Sequence, residues 1–176
     1  MKIKDIAHIG FFVAIIAVCA QISVPLVGGV PFTLQTFAIA LTGLILGWKK
    51  GVIAVLIYIL VGAVGVPVFA QFRGGLGVLF GPTGGFILAF PILAIASGFA
   101  GRKNSPVIWG VVITAATAFM LFLGGVFFAI YQGVTIGQAL TVTVSPFIIS
   151  SLIQTGLVVA VGKVLRHAIT KSGISI

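Results

Sequence analysis

The chain has 176 residues, of which 60% are hydrophobic and 6% charged, with ten Lys and Arg against a single acid. Soluble domains carry about 25% charged residues, so no water-soluble fold accommodates this composition. The apolar residues run in long blocks, which excludes the short alternating strands of an outer-membrane barrel. Helices are the spanning structure that remains, because backbone polar groups inside a bilayer must be satisfied within the segment.

At roughly 20 residues per span, the chain is predicted to be an all-α integral membrane protein. It forms one domain over residues 1–176, crosses six times, and has no room for a soluble domain. The sequence pI near 10.5 does not imply nucleic acid, since the basic residues are scattered between apolar blocks and form no soluble basic face. Cys19 is the single cysteine, which excludes an internal disulfide or a cysteine metal cluster. The first apolar block lacks a small-residue cleavage site and is read as a retained helix.

In chain order, the breakers predict span 1 from about Ile6 to Val24, ended by Pro25. Span 2 runs from about Phe32 to Trp48 and span 3 from Gly51 to about Phe69. Span 4 covers about Gly84 to Ala100, span 5 Pro106 to about Tyr131, and span 6 about Val142 to Leu165. Lys2, Lys4, Lys49, Lys50, Arg102, Lys103, Lys163, Arg166 and Lys171 then fall on one side of the membrane, and only Arg73 falls on the other. The positive-inside rule assigns the first side, with both termini, to the cytoplasm.

The sole acid, Asp5, precedes the first span, so no intramembrane carboxylate is available as a proton relay. His8 and His167 lie near cytoplasmic ends and are expected to be solvated. Gly81-Pro82-Thr83-Gly84-Gly85 lacks the following Lys-Ser/Thr of a phosphate-binding loop. No nucleophile–base set and no metal-ligand cluster is visible. The expectation is neither an enzyme nor a self-powered pump.

Polar and glycine-rich segments gather on the outer side. Loop 1 reads Val30-Pro31-Phe32-Thr33-Leu34-Gln35-Thr36, and the third loop carries Phe72-Arg73-Gly74-Gly75 and then Thr83-Gly84-Gly85-Phe86. Glycine admits close backbone approach, a helix start offers N–H groups to an anion, and Arg73 can hold a carboxylate. Phe32, Phe69, Phe72 and Phe86 could wall an apolar body. Together these features favour a small amphipathic anion as ligand. Gln35 and Gln154 lie within spans, where a buried amide needs a partner: a ligand or another helix. In span 1, Ala7, Gly10, Ala14 and Ala17 share one face, and small residues so spaced let a helix approach closely. That helix could belong to this chain or to another subunit.

At these segments the chain resembles the biotin-specific substrate-binding component (BioY family) of energy-coupling factor transporters. The resemblance rests on residues 30–36, on Gly62-Ala63-Val64-Gly65-Val66-Pro67-Val68-Phe69-Ala70 and on residues 74–86, in order and correctly spaced. It implies a six-helix membrane protein that binds a vitamin from outside, with loop 1 as a lid. It implies partners as well: a transmembrane coupling protein and two cytoplasmic ATPases, docked on the small-residue face of span 1. No cofactor is implied, since the vitamin is cargo.

One segment departs from the family pattern. Near the start of span 6 the family typically reads Pro-Gly-Asp-Leu-Ile-Lys, whereas this chain reads Ile149-Ser150-Ser151-Leu152-Ile153-Gln154. Ser151 and Gln154 replace an acid and a base of the substrate site, removing both charges together. The expected substrate-binding set is Thr33, Gln35, Phe72, Arg73, Gly74, Gly75, Thr83, Gly84, Gly85, Phe86, Ser151 and Gln154. Biotin is the expected ligand. A related carboxylated cofactor such as lipoate, a biotin precursor, and an autonomous carrier without ATPases are the other readings.

Overall fold

A computed structural model of the chain describes residues 3–26 and 29–172, so Lys2 lies outside the described residues. The first helix, α1 (Ile3–Gln21), turns Ile9, Phe12, Ile16 and Ala20 inward at helical spacing. It ends three residues before the predicted Val24. Ser23–Val24 (β1) instead pairs antiparallel with Phe32–Thr33 (β2), in the register Ser23 to Thr33 and Val24 to Phe32. Loop 1 is therefore a two-stranded ribbon, and Phe32 belongs to it rather than to a helix.

Predicted spans 2 and 3 are one element, α2 (Gln35–Ala63), broken at Gly47 with φ 76° and ψ 168°. That left-handed φ is open to glycine and strained for other residues. The two arms fold back antiparallel, since Gln35 at the start of the first reaches Tyr58 late in the second. Lys49 and Lys50 begin the second arm instead of forming a loop. The first arm, residues 35–46, rises about 18 Å at ~1.5 Å per residue, short of the ~30 Å hydrocarbon core.

After α2 come a 3-10 turn at Ala70–Phe72, the short α3 (Leu76–Leu79) and α4 (Gly84–Ala100). The second arm ends at Ala63, not Phe69. Span 4 matches its predicted bounds, and α5 (Pro106–Gln132) ends one residue past its prediction. Ser105 caps α5 by accepting from the Ile108 N–H, with Pro106 in the first turn, where its missing N–H costs nothing. A separate helix, α6 (Ile136–Thr143), opens with a Thr135/Gln138 capping box in a segment expected to be loop, and span 6 proper is α7 (Phe147–Ser172), starting five residues after the predicted Val142 and running past Leu165. Pro146 separates them, because proline cannot continue the α6 hydrogen-bond ladder.

Six helical segments result: α1, the two arms of α2, α4, α5 and α7; α1, α2, α5 and α7 are long and apolar enough to cross a membrane, and α4 is a shorter apolar helix. α2 packs most extensively on α4. A Cβ at Gly43 would overlap the Ala94 carbonyl, and one at Gly98 would overlap the Trp48 backbone. The described basic residues collect at the end opposite Arg73, where Lys50 pairs with Asp5 at 2.7 Å. His8, expected to be solvated, is partly buried there.

Candidate functional site

At the outer end the ribbon, the third loop and the helix ends enclose a cavity of about 560 Å³, counting its open mouth. Phe69, Phe86, Ile87, Phe90, Leu121 and Phe147 form an apolar wall, while Thr33, Gln35, Thr83 and Arg73 supply polar groups.

A chain of hydrogen bonds holds this rim together. On α7, Gln154 accepts from the Phe37 N–H at 2.9 Å and donates to the Thr33 carbonyl at 3.1 Å. The Thr33 hydroxyl donates to Gln35 Oε1 at 3.1 Å, and Gln35 Nε2 donates to the Tyr58 hydroxyl at 2.6 Å. Tyr58 in turn donates to the Val68 carbonyl at 3.0 Å. From α1, Gln21 Nε2 donates to the carbonyls of Val68 and Phe69, both at 3.2 Å. Its Oε1 accepts from the Phe72 N–H at 2.9 Å. Each buried amide has partners, as a low-dielectric interior requires. The chain ties α1, both arms of α2, α7, the ribbon and the third loop into one frame.

Gln21 holds an unusual turn. Gln71 and Phe72 both have positive φ, 61° and 55°, a conformation that costs about 1–3 kcal/mol per residue and persists only where its surroundings impose it. The Phe69 N–H donates to the Arg73 carbonyl at 2.9 Å across this turn. The result turns Phe72 outward, 72% exposed, and sets Arg73 at the cavity rim. The Arg73 guanidinium donates to the neutral Gln71 side chain. The only acid in the sequence, Asp5, is engaged by Lys50 at the opposite end.

Thr33, Gln35, Arg73, Thr83 and Phe86 of the expected set line the cavity together. The other seven lie outside its lining. Gln154 spends its amide on the chain's own backbone, and the Ser151 hydroxyl donates to the Ile148 carbonyl at 2.9 Å. Gly84 and Gly85 allow close packing, since a Cβ would overlap the Leu79 carbonyl at one and Phe127 at the other. Gly74 lets its segment pass the Gly65 and Val66 carbonyls, and the Gly75 N–H donates to the Gly62 carbonyl at 2.7 Å. Sequence reasoning missed Gln21, Tyr58, Phe90 and Phe147. Gln21 and Tyr58 carried a signal, as lone polar side chains in otherwise apolar spans.

Residues 1–171 match the BioY family. The chain belongs to the BioY family. Its relatives include the "Probable biotin transporter BioY" of Pyrococcus horikoshii, 37% identical, covering 94% of this chain and 98% of that one. The "Biotin transporter BioY" of Thermotoga maritima is 40% identical and covers 93% and 95% respectively. A crystal structure described as the S-component for biotin from an ECF-type ABC transporter superposes with TM-score 0.87. It covers 94% of this BioY-family chain and 92% of its own at 23% identity, a likeness that establishes the shared fold. A multi-pass membrane transport subunit, not an enzyme, is what this kinship and the long apolar helices describe.

Proposed function

We propose that this BioY-family chain, acting as one six-helix domain over residues 1–176, captures biotin at its outer face for uptake. The observation that carries the reading is the division of the cavity: one cation at the rim, neutral hydrogen-bonding groups, and a wall of phenylalanines. Arg73 receives the valerate carboxylate in a charge-assisted pair. The thioether ring and methylene chain lie against Phe69, Phe86, Phe90 and Phe147.

A ureido group needs both donors and acceptors. Gln35 Oε1 already accepts one bond and Nε2 donates one, which leaves a lone pair and an N–H for the ligand. The Thr83 hydroxyl makes no cap bond to its helix and supplies a further donor and acceptor. This neutral set takes over where the family pattern carries an acid and a base. Lipoate has no ureido group to satisfy it, which favours biotin over lipoate.

The chain has no phosphate-binding loop, so ATP hydrolysis belongs to partners: a membrane coupling protein and two cytoplasmic ATPases. Ala7, Gly10 and Ala14 on α1 are exposed, whereas Ala17 packs against the core. No helix among the described residues covers those three positions, which supports their use by another subunit.

Titration calorimetry of the purified chain with biotin, dethiobiotin and lipoate tests the ligand. Biotin should bind most tightly and lipoate weakly, and heat from none of the three would sink the reading. Proteoliposomes holding the chain alone should show no biotin flux. Flux without ATPases would instead make it an autonomous carrier.

A further inference from the structure

The cytoplasmic end holds a second concavity, remote from the ligand cavity. Between α7 and the turn that joins α4 to α5 lies an open groove of about 1170 Å³, counting its mouth. Arg102, Lys163, Arg166 and His167 edge it, with Asn104 beside them and Trp109 at its base.

Arg166 is held in place there. It donates to the Gly101 carbonyl, and its guanidinium carbon lies 5.2 Å from the Trp109 ring centroid. Trp109 is itself fixed by an Nε1 bond to the Lys103 carbonyl at 2.7 Å. Five N–H donors in a planar fork leave Arg166 with capacity for an anion. Arg102 and Lys163 are exposed beside it, and no acidic side chain is available to any of the three, because Asp5 pairs with Lys50. Three cations around one concavity repel each other until a counter-ion sits between them.

The level of the groove selects the kind of anion. It lies at the start of α5 and near the end of α7, among the basic residues that the positive-inside rule assigns to the cytoplasmic membrane face. The same helices carry exposed apolar side chains at this level and one turn deeper: Val107 at 75%, Val111 at 65% and Val164 at 68%. A ligand with a phosphate head and hydrocarbon tails satisfies both surfaces, whereas a free phosphate satisfies only the cations. Basic pockets between helix ends on the cytoplasmic side recognise anionic headgroups in this way.

We propose that the groove bounded by Arg102, Lys163 and Arg166 binds the phosphate headgroup of an anionic phospholipid of the inner leaflet. Native mass spectrometry of the full chain in detergent, with phosphatidylglycerol or phosphatidylcholine added, reads this directly. The wild-type chain should retain phosphatidylglycerol at least fivefold more than phosphatidylcholine. The double variant Arg102→Gln/Lys163→Gln should lose that preference while still binding biotin, which shows that it is folded.

Equal retention of the two lipids, or an unchanged preference in the variant, overturns the proposal. A titration in graded salt tests the wild-type chain without any substitution, and a preference that salt leaves intact speaks against it. Inorganic phosphate that competes away phosphatidylglycerol at equal concentration would make the groove a free-phosphate site. Loss of co-purifying ATPases with lipid retention unchanged would make it a protein-docking surface. Either result rejects the lipid.

Discussion

The two ends of the helix bundle solve opposite problems with opposite chemistry. The outer end contains one cation, Arg73, and a frame of neutral amides and hydroxyls linking Gln154, Thr33, Gln35, Tyr58 and Gln21. The cytoplasmic end contains the remaining described basic residues and its pairings are ionic or cation–aromatic: Lys50 with Asp5, Arg102 over Phe99 at 5.0 Å, Arg166 over Trp109. Neutral hydrogen bonds suit a region proposed to enclose a ligand, since their partners remain satisfied without counter-ions. Charges suit the end that faces water and lipid headgroups. Geometry held by neutral bonds should therefore be sensitive to single substitutions, and charge at the inner end should be tolerant of them.

The largest effect is expected at Gln154. Gln154→Leu leaves the partly buried Phe37 N–H and Thr33 carbonyl without the partners they have now, at up to about 1–3 kcal/mol for each group. Thermal unfolding in detergent should show a clear fall in Tm, and an unchanged Tm would mean that the ribbon does not depend on α7. Next comes Arg73→Ala, which should weaken biotin binding at least tenfold, or about 1.4 kcal/mol, with Tm unchanged. Calorimetry showing unchanged affinity would reduce Arg73 to a loop charge.

Gln21→Leu should act on the same affinity through the Gln71–Phe72 turn, by roughly fivefold, or about 1 kcal/mol for the lost positioning bonds. The double variant with Arg73→Ala should then be no weaker than Arg73→Ala alone if Gln21 works only by placing that guanidinium. Asp5→Asn should matter least. The Lys50–Asp5 pair is partly exposed, with side chains 27% and 20% accessible, and such pairs contribute about 0–1 kcal/mol. A fall in Tm as large as that of Gln154→Leu would erase the contrast between the two ends.

Composition and hydropathy were enough for the fold class, an all-α membrane protein of several apolar helices. That class follows from transfer free energies that act on each segment separately. The bounds of α4 and α5 were also legible, those of α5 because Ser105 caps it, Pro106 opens it and Gly133 ends it in a left-handed turn. The candidate cavity was legible in part: Thr33, Gln35, Arg73, Thr83 and Phe86 stand in segments whose polar and glycine-rich content marks them out.

What only the tertiary structure decided is how segments distant in the chain meet. Hydropathy cannot see the ribbon of Ser23–Val24 with Phe32–Thr33, nor the fold-back at Gly47, since both depend on backbone pairing and a φ of 76° at one residue. Nor could it assign Gln154, whose amide was open to a ligand or another helix until Thr33 and Phe37, 121 and 117 residues away, were seen to occupy it. A side chain's polarity is written in the sequence. Its partner is chosen by packing, which brings residues together irrespective of their separation along the chain.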